Sequence, residues 1–339
     1  MQRHSRHNPT SSDSSILPTR RAVAILLCFN GARLLPTNVL YALVPPKDRG
    51  DYVGFRNLLT RMVRAGLLHR QTYSRGKWSN NETMTYKRLP AGERWLQHYD
   101  RPFTITHDGD RSQPAERCLV DFATASIKIA ARFSEIAFHS FHEIRARKSA
   151  RLPETAQLFF PTGEFYVTER GKRKVRTVTP DGEPFSLSAP TPDGSKIESI
   201  DFLKEIVRYN KTEYVIKEKA RHYKKVKRDI EERLGTNSIM ILFIATNKEN
   251  AKNVLSWIKE EVGECKWMLV QTMTDHIREG LTTAPLATHL FDQPWDRPYP
   301  TQFSLKELRS LPKPEVLTEI ERQTRQSNQD ELKRLHAVK

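Results

Sequence analysis

Asp181, Glu205 and Lys219 have the residue types and spacing that phosphodiester chemistry needs. The tetrapeptide Thr-Pro-Asp-Gly occurs twice, at 179–182 and 191–194. Pro presets φ and Gly supplies a positive φ, so each copy is turn chemistry in its own right. The second fits the reversal of a hairpin between "EPFSLS" and "SIDFLKEIVRY". The first stands where a strand begins and presents Asp181 there. On the returning strand Asp201, Leu203, Glu205 and Val207 share one face by period two, which places Glu205 beside Asp181. In the helix that follows, Val215, Lys219, Tyr223, Val226 and Ile230 form an inward stripe. An inward ammonium needs a partner, and two carboxylates would supply it. Asp and Glu oxygens suit Mg²⁺ or Mn²⁺, which neutralises developing charge and generates hydroxide. A lysine beside them orients the nucleophile or stabilises charge on the phosphorus centre. The bland alternative is a turn aspartate, a surface glutamate and a lysine lying along apolar surface.

The elements that must position these residues are readable from their surroundings. The stretch "AERCLVDFATASIKIAARF" is a helix with Leu119, Phe122, Ile127 and Ile129 among its apolar positions. "EIAFHSFHEI" alternates as a strand leading to Glu143, and "QLFF", "EFYVTER", "KVRTVTP", "EPFSLS" and "SIDFLKEIVRY" are strand-like between turns. A basic helix over 212–234, a buried strand "SIMILFIAT", a helix over 247–262 and the strand "KWMLVQT" complete a mixed sheet with flanking helices, α/β or α+β. On the 212–234 helix Lys217, Arg221, Lys224, Lys225 and Arg228 lie off the inward stripe, solvated or facing phosphate. "APLATHLFDQPWDRPYPTQF" is Pro-rich and irregular, its aromatics packing anchors rather than a base-stacking platform. The last segment, 304–339, is polar and helical.

Charge points to the partner. The chain has 56 Lys and Arg against 40 Asp and Glu, a net of +16. The first 100 residues hold 16 of those cations and 6 of those anions. A basic N-terminal third fits an anionic polymer, although a generally basic protein has the same balance. There "TRRAVAILLCFNGARLLP" is a helix ending near Gly31, and "LPTNVLYALV" is a second, stopped by Pro45 and Pro46. Asp51 caps a third, in which Phe55, Leu58, Leu59, Met62 and Val63 form a core stripe. The opposite face carries Arg56, Asn57, Thr60, Arg61 and Arg64. After Gly66, "LLHRQTYSRGKWSNNETMTYKRL" gives two strands around a basic tip bearing Arg75 and Lys77. Three helices and a β-wing make a winged helix-turn-helix, with "LLTRMVRAGLLHR" similar to a recognition helix running into its wing. Arg56, Asn57, Arg61 and Arg64 then face the major groove of double-stranded DNA, while Arg75 and Lys77 touch backbone. Contact with protein instead is the alternative for such a module.

With "VTPDG", Glu205 on a strand and "NKTEYVIKEKARHY" in view, the chain resembles the replication-relaxation family, which includes mobilisation relaxases of the MOB-C class. The likeness runs over roughly residues 18–275. It implies an N-terminal winged helix joined to a PD-(D/E)xK-like, restriction-endonuclease-like domain. By the same likeness Asp181, Glu205, Thr212, Lys219 and Tyr223 match the family's pattern, and Glu143 matches a glutamate after the domain's first helix. The implied catalytic set is Asp181, Glu205, Lys219 and Glu143, with Asp181 and Glu205 holding Mg²⁺ or Mn²⁺; Arg221, Lys224 and Lys225, from their places on the basic helix, would hold DNA phosphate near it. The pattern departs at Val207, where an Asp is usual. An alternative alignment puts Arg208 and Asn210 at the acidic positions, which would leave a domain that only binds DNA.

The expected organisation is a tail over 1–16, a winged helix over 17–105, a nuclease-like domain over 115–280 and an extension over 281–339. The expected function is a metal-dependent, relaxase-like nickase at a plasmid or mobile-element transfer or replication origin, with relaxosome or replication proteins as further partners. Its alternative is a non-catalytic origin-binding factor or transcription regulator. No Gly-rich phosphate loop argues for an NTPase. His139 and His142, facing opposite ways on a strand, do not make a zinc site. Cys28, Cys118 and Cys265 are few and scattered, and neither a signal-peptide core nor an apolar membrane span is present, so a cytoplasmic location without a membrane partner is expected.

Overall fold

The computed structural model describes residues 19–30, 32–73, 83–98, 114–132, 134, 136–145, 163–169, 172–178, 180–190, 197–208, 212–236, 238–273 and 289–305. The tail, the wing tip with Arg75 and Lys77, the second Pro-Asp-Gly, "QLFF" and residues 306–339 lie outside them.

Helix α1 (Arg20–Leu27) starts where Thr19 Oγ1 accepts the Ala22 amide. Strand β1 (Leu35–Pro36) precedes α2 (Thr37–Leu43), so "LP" is an edge strand rather than helix, a place where a proline fits. A single turn, α3 (Pro46–Arg49), leads to α4 (Tyr52–Arg64). Asp51 Oδ1 accepts the Gly54 amide at 2.8 Å and caps α4. The helix ends at Gly66, whose φ of 70° favours glycine. Phe55, Leu58, Leu59 and Met62 are buried as their spacing requires. Strands β2 (Leu68–Tyr73) and β3 (Thr83–Arg88) pair antiparallel, and β1 joins β3 to give the order β1-β3-β2. Helix α5 (Pro90–His98), which carries no clear apolar run, closes this part.

Helix α6 (Pro114–Arg132) opens the second part. Strand β4 covers only Ala137–His139, and the predicted strand does not continue to Glu143. Instead Ser140 starts a helical turn, α7 (Phe141–Arg145), in which Glu143 Oε2 accepts from the Ser140 amide and hydroxyl. The Ser-x-x-Glu capping box is a stronger local signal than three or four alternating residues. A hairpin of β5 (Gly163–Glu169) and β6 (Lys172–Val178) follows. Then come β7 (Phe185–Pro190), β8 (Ile197–Val207), α8 (Glu213–Leu234), β9 (Ile239–Ala245), α9 (Lys248–Val262), β10 (Met268–Thr272) and α10 (His289–Asp292).

The main sheet runs β10-β9-β8-β7-β4. β8, β9 and β10 are parallel, while β7 and β4 are antiparallel to their neighbours. Both faces are covered, which explains why "IMILFIA" of β9 is apolar throughout. Leu203, Val207, Ile241 and Phe243 pack with Ile216, Ala220 and Tyr223 of α8 on one face. Phe202, Ile206, Leu242 and Ile244 belong to the cluster containing Phe122 and Ile127 of α6 on the other. That second cluster continues into Leu26, Leu40 and Phe55 of the N-terminal helices. Asp121 of α6 also accepts the Arg33 and Leu34 amides at 2.9 and 2.8 Å, and Arg132 donates to the Leu43 carbonyl at 2.7 Å. The architecture is mixed α and β, with three- and five-stranded sheets and a two-stranded hairpin among the described residues.

Within the Pro-rich segment, residues 289–305 lie against the sheet edge. Trp295 is fully buried and bridges Phe303, while Asp296 bridges Val270 of β10. Among the described residues no helix is long and apolar enough to cross a membrane.

Candidate active site and nucleic-acid interface

Asp181 lies against the edge of β8, just before β7 begins. Its amide donates to the Lys204 carbonyl and its Oδ2 accepts the Ile206 amide, both at 2.7 Å. The carboxylate thus takes the place a strand carbonyl would have, and Gly182, at φ 81°, turns the chain into β7. A second tie comes from Lys204, whose Nζ donates to the Glu183 carbonyl at 2.7 Å and sits 5.1 Å from the centre of the Phe185 ring. Sequence reasoning assigns Lys204 no role. The one signal for it is a lysine flanked on its face of the strand by Phe202 and Ile206.

Glu205 is on the opposite face of β8 and is fully buried. Its Oε2 forms a short ion pair with Lys219 Nζ, and its Oε1 accepts from Tyr223 Oη at 2.5 Å. Lys219 and Tyr223 are four residues apart on α8, so one helix face delivers both donors to one carboxylate. Burial, the Glu205 charge, its hydrogen bond and the Asp181 charge raise the Tyr223 phenol well above its usual pKa. The phenol is therefore a proton donor at neutral pH. Asp181, Glu205, Lys219 and Tyr223 form one electrostatic neighbourhood at the C-terminal end of β8.

Glu143 belongs to the α7 cap described above. Thr212 is the N-cap residue of α8 but makes no side-chain cap bond. His139 Nε2 is 2.7 Å from Ser188 Oγ, and both are buried in the sheet. Among the described residues no group of three or more His, Cys, Asp or Glu side chains is placed to hold a metal ion. Asp181 and Glu205 offer carboxylate oxygens, the donor type Mg²⁺ takes, with both Glu205 oxygens engaged by Lys219 and Tyr223.

The two basic helices differ. On α4, Arg56, Asn57, Arg61 and Arg64 are exposed, and the three arginines form no ion pair with any described residue. Val53 and Tyr52 are exposed beside them, which the sequence reading did not anticipate. On α8, Lys217 bonds Glu213 at 2.6 Å and Glu260 of α9 at 2.7 Å. These bonds push the Lys217 ammonium up to about 12. Arg221 pairs with Glu218 and, at 2.7 and 2.9 Å, with Glu261, and Lys224 Nζ donates to the Val262 carbonyl at 3.0 Å. Lys225 and Arg228 remain exposed without an ion pair among the described residues. In the N-terminal part other cations are structural. Arg20 pairs with Asp48, and the buried Arg88 donates to the Leu26 carbonyl and Asn30 Oδ1. Comparison with protein-family models, curated proteins and solved structures returned no match.

Proposed function

We propose that this chain binds double-stranded DNA through a winged helix-turn-helix built from α1–α5 and β1–β3. We propose further that it cuts one strand, as a metal-dependent, relaxase-like nickase at a plasmid or mobile-element origin. The observation that carries this reading is that Asp181, bonded to the Ile206 amide of β8, and the Glu205–Lys219 pair both act on Tyr223 near the end of that strand. The resemblance to the replication-relaxation family, and with it the PD-(D/E)xK-like character of the sheet, belongs to this proposal, as do relaxosome or replication partners.

Asp181 and Glu205 would hold a Mg²⁺ or Mn²⁺ ion, which when bound neutralises phosphate charge and lowers the pKa of water. Lys219 sets its ammonium where charge on a cleaved phosphate would build. Tyr223 fixes the Glu205 carboxylate by donating to it and keeps its own proton. Asp181, only partly buried, is the carboxylate nearer to solvent. Arg56, Asn57, Arg61 and Arg64 hold the duplex on α4, a surface separate from the acidic cluster.

The test is conversion of supercoiled plasmid carrying a candidate origin to open circles in the presence of Mg²⁺ or Mn²⁺. Asp181→Asn is expected to abolish nicking while leaving the thermal melting point and DNA affinity near wild type. Undiminished nicking by Asp181→Asn would remove the site assignment. A second reading, a non-catalytic origin-binding factor or transcription regulator, is favoured by one observation: both Glu205 oxygens are already engaged in a fully buried position. Its signature is origin binding without nicking under any divalent cation.

A further inference from the structure

The face of α4 opposite the core is not uniformly basic. Residues 53, 56, 57, 60, 61 and 64 succeed one another at helical spacing and make one solvent-facing stripe. Val53 is 67 % exposed and Tyr52 43 %, and these are two of only four large apolar side chains exposed among the described residues. Both stand in the first turn. Asp51, whose carboxylate caps that turn, would repel a phosphate from the helix start. Thr60 donates its hydroxyl to the Arg56 carbonyl at 3.0 Å rather than outward. The N-terminal half of the stripe therefore offers an isopropyl group, a guanidinium and an amide, beside a phenol ring packed edge-on against Tyr41.

The uncommitted Arg56, Arg61 and Arg64 complement a duplex, and a groove-bound helix reads bases with its N-terminal residues. In the major groove the apolar feature is the 5-methyl group of thymine. We infer that Val53 reads a thymine methyl within the site bound by α4, with Asn57 on an adenine edge. Four residues at about 1.5 Å each separate the two readers by about 6 Å, close to two base steps of about 3.4 Å. Arg61 and Arg64, toward the C-terminal end, hold the flank. This assignment rests on the DNA-binding reading above and is independent of the Asp181 site.

The experiment selects duplexes from a random library with the full-length protein and then replaces each thymine of the winner by uracil, which deletes only the methyl. At one position uracil is expected to weaken wild-type binding roughly fivefold. Val53→Ala, a change at an exposed side chain, should bind the thymine duplex more weakly by a similar factor and no longer distinguish thymine from uracil there. If no duplex is enriched, DNA binding itself is wrong. If duplexes are enriched but no uracil position depends on Val53, this inference is overturned while DNA binding stands. A uracil effect that persists undiminished in Val53→Ala gives the methyl to another residue and overturns it equally.

Discussion

Helices α4 and α8 are both rich in cations, yet α4 leaves its arginines available while α8 commits several of its cations to neighbouring groups. Arg56, Arg61 and Arg64 of α4 are exposed and form no ion pair with any described residue. Lys217 and Arg221 of α8 lie along α9, where Glu260 and Glu261 take them up. A carboxylate within about 4 Å already occupies such a cation, and a phosphate must displace it before binding. A run of Lys and Arg is thus not by itself a nucleic-acid surface. What matters is the element packed against it. On α8 the cations that stay uncommitted are Lys225 and Arg228. The largely buried ammonium of the same helix, Lys219, is a third case, paired with the fully buried Glu205.

The largest effect expected from this contrast is on stability. Removing the Glu205 carboxylate leaves Lys219 charged and buried, which typically costs about 3–5 kcal/mol. Glu205→Ala should lower the urea midpoint severely, whereas Arg61→Ala should change stability by less than about 0.5 kcal/mol. Equal midpoints for the two variants would mean that the Glu205–Lys219 pair is not integral to the core.

On DNA the ranking should reverse. Replacing Arg56, Arg61 and Arg64 together by Ala should weaken duplex binding by about 100-fold, and the salt slope should fall by about one unit for each phosphate that the protein no longer neutralises. Lys217→Ala combined with Arg221→Ala should change affinity less than about twofold, since those cations are committed to α9. Lys225→Ala with Arg228→Ala should fall between the two. Titrations at two salt concentrations separate all three, and a stronger effect from the Lys217–Arg221 variant would break the comparison.

The smallest effect concerns pH. Hydrogen bonds from Lys217 and Ser256 hold the Glu260 carboxyl below its ordinary 4.5. A depressed carboxyl contributes stability that is complete above its unfolded value and disappears as pH falls through the folded one. The raised Lys217 ammonium contributes fully below 10.5 and loses that contribution as pH rises through about 12. The clamp between α8 and α9 is therefore intact at neutral pH. The small difference in denaturation midpoint between wild type and Lys217→Ala at pH 7 should shrink on acidification below 4.5. A difference that persisted at low pH would show that packing of the lysine stem, and not its charge, joins the helices.

Local chemistry made much of the fold legible. The Asp51 cap, the Phe55–Met62 stripe and Gly66 bound α4 without reference to anything distant. The apolar run of β9 did the same for the sheet, and the inward position of Lys219 followed from helical period alone. Signals that compete within a few residues were harder. Ser140 and Glu143 settle as a capping box because a hydrogen-bonded turn forms locally, and a glutamate read as catalytic is thereby placed at the start of α7.

Sequence by itself determined which residues could face inward, because side-chain periodicity is a property of each helix or strand alone. Tertiary structure decided which inward and outward groups meet. Lys217 finds Glu260 across 43 positions of chain, Tyr223 finds Glu205 across 18, and Asp121 receives amides 88 and 87 positions away. No periodicity encodes those separations. They exist because α6, α8 and α9 pack on the two faces of the sheet, and burial of apolar surface, which is indifferent to direction, brings polar groups on those helices within reach of their partners.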